Sequence, residues 1–115
     1  MLRMVLFAIG VCAVACVSTG AAPDHPAAHI AHGRQLYVAD GCAQCHGYSG
    51  QGTVGPRLAP NPIPLDIFTR QMRKPRAVMP IYTSAVLSEG DLADIYAYLE
   101  SVPQPAPAAR IPLLR

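Results

Sequence analysis

"GCAQCHG", residues 41–47, places two thiols and an imidazole within five positions, between two glycines. Four chemistries use such a cluster: a structural disulfide, a corner of a zinc site, a redox dithiol, and covalent attachment of haem. The rest of the chain decides among them.

A disulfide across two intervening residues closes too small a loop to remove much unfolded-state entropy. Zinc in a closed structural site needs four ligands, and a second cysteine pair is missing. His25, His29 and His32 are the only histidines left to complete such a set, and they precede the motif. A thioredoxin-like dithiol sits at the end of a strand leading into a helix, within a βαβ pattern. Here a Gly-rich loop follows instead. C-x-x-C-H is, by contrast, the unit that joins haem through two thioethers and sets the adjacent histidine under the iron. Cys42, Cys45 and His46 supply all three atoms.

The N-terminus agrees. "MLRMVLFAIGVCAVACVSTGAA" has a basic Arg3, an apolar run from Met4 to Val17, and small residues up to Ala22. That is the pattern of an export signal, with cleavage expected after Ala22 or a few residues earlier. Two other readings of the segment stay open. Met4 to Ala22 is just long enough to span a bilayer uncleaved, and Cys16 loosely resembles a lipoprotein processing site. Cys12 and Cys16 fall in this segment, which leaves Cys42 and Cys45 as the thiols of the folded domain. Export implies an oxidising compartment, and bacterial haem ligation of this type takes place outside the cytoplasm.

Composition limits the remainder. A chain of 115 residues without tryptophan, carrying twelve prolines, holds one domain with a modest core that a bound cofactor would complete. Its net charge of +2 is too small for a nucleic-acid binder, which carries a dense basic face.

Three helices are predicted. The first runs from about His29 to Ala39, with Ile30, Leu36 and Tyr37 near helical spacing and Gly33 in its middle. A short one spans Leu65 to Arg73, ended by Lys74-Pro75. The last lies in "LSEGDLADIYAYLESV", residues 87–102, with Ser88 at the N-cap, Asp91 completing a capping box, and Leu92, Ile95, Tyr96 and Leu99 on one face. From Gly41 to Pro64 the chain is rich in Gly, Pro and Asn without strand or helix period, and reads as an ordered loop wrapped around whatever the cysteines hold. "PQPAPAARIPLLR", residues 103–115, reads as an extended Pro-rich tail. There are no repeats and no convincing strands. The expected architecture is all-α, with three to four short helices and long loops: an export signal over 1–22, one domain over 23–102, and a tail over 103–115.

In order along the chain, "HGRQLY", "CAQCH", "VGPRL", "VMPIY" and "LADIYAYLES" resemble the pieces of a small class I c-type cytochrome, a bacterial monohaem electron carrier. The resemblance runs from about His29 to Val102. It implies one haem c joined through thioethers to Cys42 and Cys45, with its iron bound by Nε2 of His46 as an axial ligand. It also implies that Nδ1–H of His46 donates to the carbonyl of Pro56, which orients the ring and tunes its basicity.

For the sixth ligand, a thioether suits an iron that must shuttle between two oxidation states. Met79 precedes a proline in a loop and matches the family position; Met72 lies in a helix, where methionine is more often a packing residue. A bis-histidine centre using His25, His29 or His32 is the alternative. The resemblance further implies that the first and last helices cross closely at Gly33, which admits a side chain matching Ile95 or Tyr98.

The function implied is periplasmic electron transfer, with the chain cycling Fe(III)/Fe(II) and filling both axial positions, so that it is not itself an enzyme but a carrier between redox partners or the cytochrome subunit of an exported dehydrogenase. Its partners would be redox proteins, such as an exported dehydrogenase or a terminal oxidase. Arg70, Arg73, Lys74 and Arg76, in a stretch free of acids, would steer an acidic partner. Membrane association would require the N-terminal segment to be retained or lipidated. Two rivals stay open: a haem sensor or peroxidase-like domain in which Met79 leaves the iron, and a non-haem dithiol module.

Overall fold

The computed structural model describes residues 26–114; the export segment proposed for residues 1–22 lies outside them. Four α-helices follow in order: α1, Ala27–Ala39; α2, Cys42–His46; α3, Leu65–Arg73; and α4, Glu89–Ser101. No strand occurs among the described residues. The molecule is all-α, as the sequence implies.

Three boundaries are set locally. Pro26, which cannot donate to a preceding turn, stands at the N-cap of α1. Pro64 does the same for α3, whose bounds match the sequence reading. Ser88 opens α4 with a reciprocal capping box: its hydroxyl accepts from Asp91 N at 3.1 Å, and its own N–H donates to the Asp91 carboxylate at 2.9 Å. Donation from Ser88 Oγ to the Asp91 carboxylate at 2.7 Å, with that from Ser88 N–H, holds the Asp91 carboxyl below the usual carboxylate range.

The principal packing is α1 against α4. Gly33 sits against the α4 backbone at Asp94 and Ile95; a methyl group there would overlap the Asp94 carbonyl and lie 2.7 Å from Ile95 N. The expected crossing is therefore present, but it is closer than expected. Gly33 makes room for the main chain of α4, not for an Ile95 or Tyr98 side chain. Those two side chains pack beside the crossing, with the Tyr98 ring 5.5 Å from that of Tyr37. Tyr37, Leu87, Leu92, Ile95 and Leu99 are almost wholly buried and form the centre of the core. Tyr96, expected on the same face, is only half-buried and meets Phe68 of α3 edge-on at 5.7 Å.

Two segments differ from their sequence reading. Within the expected loop 41–64, residues 42–46 form α2, because Cys42 to His46 can close one helical turn between two glycines of positive φ. The tail is not uniformly extended: Ala108–Arg110 and Pro112–Leu114 close 3₁₀ turns, the first through Arg110 N to Pro107 O at 2.8 Å. No helix among the described residues is long and apolar enough to cross a membrane.

Candidate haem site

The attachment motif is a single turn of helix. Gly41 and Gly47, with φ of 83° and 79°, let the chain enter and leave α2 abruptly, so the two cysteines and the histidine share five residues of backbone. Cys42 is buried and Cys45 exposed, and both are free thiols. Burial pushes the Cys42 thiol up to about 11, so at neutral pH it is protonated.

The loop after the motif folds back onto it. Carbonyl oxygens at the end of α2 accept from this loop: Cys45 O from Gly55 N at 2.7 Å and Thr53 Oγ1 at 2.5 Å, and His46 O from Gly52 N at 2.8 Å. This brings Pro56 O to 2.8 Å from Nδ1 of His46. A carbonyl can only accept, so Nδ1 carries the proton and Nε2 is left with a lone pair able to ligate a metal. Gly55 is needed for this approach, since a Cβ there would lie 2.8 Å from Cε1 and 2.9 Å from Nδ1 of the ring.

Three tyrosine hydroxyls hold the backbone on both sides of α2. Tyr37 of α1 donates to Gly47 O at 2.9 Å, and Tyr98 of α4 to Tyr48 O at 2.6 Å. On the other side, Tyr82 donates to Asp40 O at 2.7 Å. The crossing helices thus carry the motif on their own side chains. Burial raises the pKa of both Tyr37 and Tyr82, which keeps them as donors.

Tyr82 also ends the loop that bears Met79. Its N–H donates to Met72 O at 3.0 Å, and its carbonyl accepts from Arg73 at 2.8 Å. Met79 is half-buried against the core, with Nε2 of Gln71 3.6 Å from its sulfur. Met72 is 2% exposed inside the core, the packing role read from its helical setting. In the sequence, nothing marks Gln71, and the one signal for the hydroxyls of Tyr37, Tyr82 and Tyr98 is tyrosine in place of phenylalanine at apolar positions.

The described histidines offered for zinc or a second axial bond use Nδ1 elsewhere and keep Nε2 free. His29 and His32 each donate Nδ1 to one oxygen of Asp94 at 2.7 Å, across the α1–α4 crossing; His25 lies outside the described residues. No group of three or more His, Cys, Asp or Glu among the described residues is arranged to hold a metal ion. The basic run is also partly committed. Arg73 spans Tyr82 O and Glu89, at 2.6 Å, and Arg70 pairs loosely with Asp66 at 3.4 Å.

These residues fit haem c. Two thiols can bond its vinyl groups, and a histidine with its tautomer fixed can ligate. Val54, Ile63, Ile67, Val78 and Ile81, on α3 and the loops flanking the motif and Met79, are exposed apolar side chains of the kind a porphyrin covers. Held by these residues, haem c would supply a one-electron couple, with Cys42 and Cys45 carrying it and His46 offering a nitrogen whose tautomer the chain fixes.

The model of the family described as "Cytochrome C oxidase, cbb3-type, subunit III" matches residues 28–99, more than half of the chain and the whole of the site. No curated protein and no solved structure matches it. With the motif, the fixed imidazole and the crossed helices in one unit, the chain belongs to that family of c-type cytochrome domains and is a class I c-type cytochrome that binds haem c covalently and transfers electrons.

Proposed function

We propose that this cytochrome works in the periplasm as a one-electron carrier whose iron lies between Nε2 of His46 and the sulfur of Met79. The observation that carries the reading is the difference between the two methionines of the folded domain. Met72 is consumed by the core, whereas Met79 stands half-buried in a loop tied to α3 and, through Tyr82, to the chain entering the attachment motif.

The family description names a subunit of a terminal oxidase, and a terminal oxidase or an exported dehydrogenase is the partner proposed here. Docking uses the face carrying Lys74 and Arg76, both exposed, with Arg73 serving the fold instead. The association rate with an acidic partner falls steeply with added salt on this reading.

The test is the visible spectrum of the mature, haem-loaded protein in both redox states, with Met79 and Met72 replaced separately. Loss of the thioether-to-Fe(III) absorption on replacing Met79 alone is the expected result. Retention of it would assign the sulfur to Met72, its absence from the unaltered protein would favour a bis-histidine centre, and rapid carbon monoxide binding by the unaltered ferrous protein would favour an open site; each result overturns the ligand assignment.

A further inference from the structure

Gln71 stands in α3 between the basic loop and Met79, and its two amide atoms are used in opposite directions. Nε2 lies 3.6 Å from the Met79 sulfur, and Oε1 lies 3.4 Å from Nε of Arg76. An arginine has donors and no acceptor, so the amide oxygen must face Arg76. The amide N–H is then the group turned to the sulfur, an orientation fixed by chemistry and not by an arbitrary assignment of oxygen and nitrogen.

We infer that Gln71, oriented by Arg76, is a positioning residue that sets the donor strength of the Met79 thioether and thereby raises the reduction potential. The inference rests on Met79 being the sixth ligand. A thioether sulfur is a weak acceptor, and an N–H aimed at one lone pair leaves the other to bind metal. It withdraws electron density from the sulfur, and the positive end of the amide dipole lies at the sulfur. Both effects disfavour Fe(III) more than Fe(II), because the extra positive charge of the oxidised iron feels them more strongly. Gln71 is half-buried, so water replaces this donor poorly when it is removed. Arg76 is exposed and its own charge is open to salt, whereas its effect through the orientation of the amide is not.

The test compares full-length haem-loaded wild type with Gln71→Leu, Gln71→Glu, Arg76→Ala and Met79→Ala, reading the midpoint potential and the thioether-to-Fe(III) absorption. In Gln71→Leu the absorption is retained, and the Fe(II)/Fe(III) ratio at a fixed ambient potential falls about threefold to tenfold, the upper end being about 59 mV for a one-electron couple. Gln71→Glu keeps the size but offers the sulfur no donor and lowers the ratio at least as far. Arg76→Ala gives a smaller fall in the same direction that persists in 1 M salt, where the Debye length is about 3 Å. Gln71→Leu and Gln71→Glu with the absorption retained and the ratio unchanged would overturn the role of Gln71. An Arg76→Ala effect that vanishes in salt would overturn the orienting role of Arg76. Both results leave Met79 ligation standing, whereas an unchanged absorption in Met79→Ala removes the ligation reading itself and the inference with it.

Discussion

The phenol of Tyr82 donates to the carbonyl of Asp40 at 2.7 Å, across 42 residues of sequence. One end of this bond is two residues before Cys42, and the other closes the loop that carries Met79. Bracing through a rigid aromatic ring links the two halves of the site without using either as a ligand. The neighbouring bonds from Tyr82 N to Met72 O and from Arg73 to Tyr82 O make the same residue the junction of α3, the Met79 loop and the attachment motif.

Tyr82→Phe removes that bond and leaves the Asp40 carbonyl without its phenol donor. Stability falls by about 0.5–1.5 kcal/mol, the usual worth of one such bond. The thioether-to-Fe(III) absorption weakens on mild heating or in low denaturant, before global unfolding. Equilibrium denaturation followed in parallel by far-UV dichroism and by that absorption checks this; coincident transitions in the variant, unchanged from wild type, would count against a bracing role.

Gly33→Ala forces a methyl group into the Asp94 carbonyl. Relief requires α1 and α4 to move apart at the crossing that also positions Tyr37 and Tyr98. The cost is about 1–3 kcal/mol, that of overpacking a close contact. A urea titration of the haem-loaded variant measures it, and Ala31→Gly, on an exposed position of the same helix, is the control that shifts little more than a propensity difference of about 1 kcal/mol.

Gly55→Ala pushes on the His46 ring, where the added carbon would lie 2.8 Å from Cε1. The Nδ1–H bond to Pro56 O lengthens and the imidazole loses its orienting partner. Haem-loaded yield falls and the reduction potential shifts, while the far-UV dichroism of the loaded fraction is retained. A variant with wild-type yield and potential would show that the Pro56 bond does not hold the ring.

Acid sensitivity is expected at the α1–α4 crossing. The Asp94 carboxyl is lowered from 3.8, by the His32 bond first, opposed by desolvation, with His29 adding to the lowering. A depressed carboxylate contributes stability that is present above its unfolded value and lost as pH falls through its folded value. Asp91, also lowered by its bonds to Ser88, faces His32 and contributes in the same window. Wild type therefore loses stability as pH drops below about 4. Asp94→Asn is less stable at neutral pH and shows a shallower acid decline, which urea titrations at a series of pH values measure.

Ser88→Ala removes the hydroxyl that accepts from Asp91 N, at a cost of about 1 kcal/mol. Ser88→Thr, whose hydroxyl can accept from Asp91 N and donate to its carboxylate in the same way, recovers most of it. Thermal unfolding of the three proteins orders them directly.

The attachment chemistry was written in five residues, because two thiols and a histidine at that spacing leave few other uses once the zinc and dithiol contexts are missing. Helix bounds were equally local: Pro64, Lys74-Pro75 and the Ser88–Asp91 box act within a turn of themselves. Met79 could be preferred over Met72 from the same kind of local context, a loop before proline against a helix interior. What local pattern does not carry is distance between segments. That Gly33 meets the backbone of α4 and not a side chain, that His29 and His32 converge on Asp94, and that Tyr37, Tyr82 and Tyr98 spend their hydroxyls on carbonyls flanking α2 all depend on how the helices cross. Sequence alone marked the atoms able to bind a cofactor covalently. Tertiary structure decided which groups hold those atoms still, since a hydrogen bond between residues far apart in sequence exists only once packing has closed the gap.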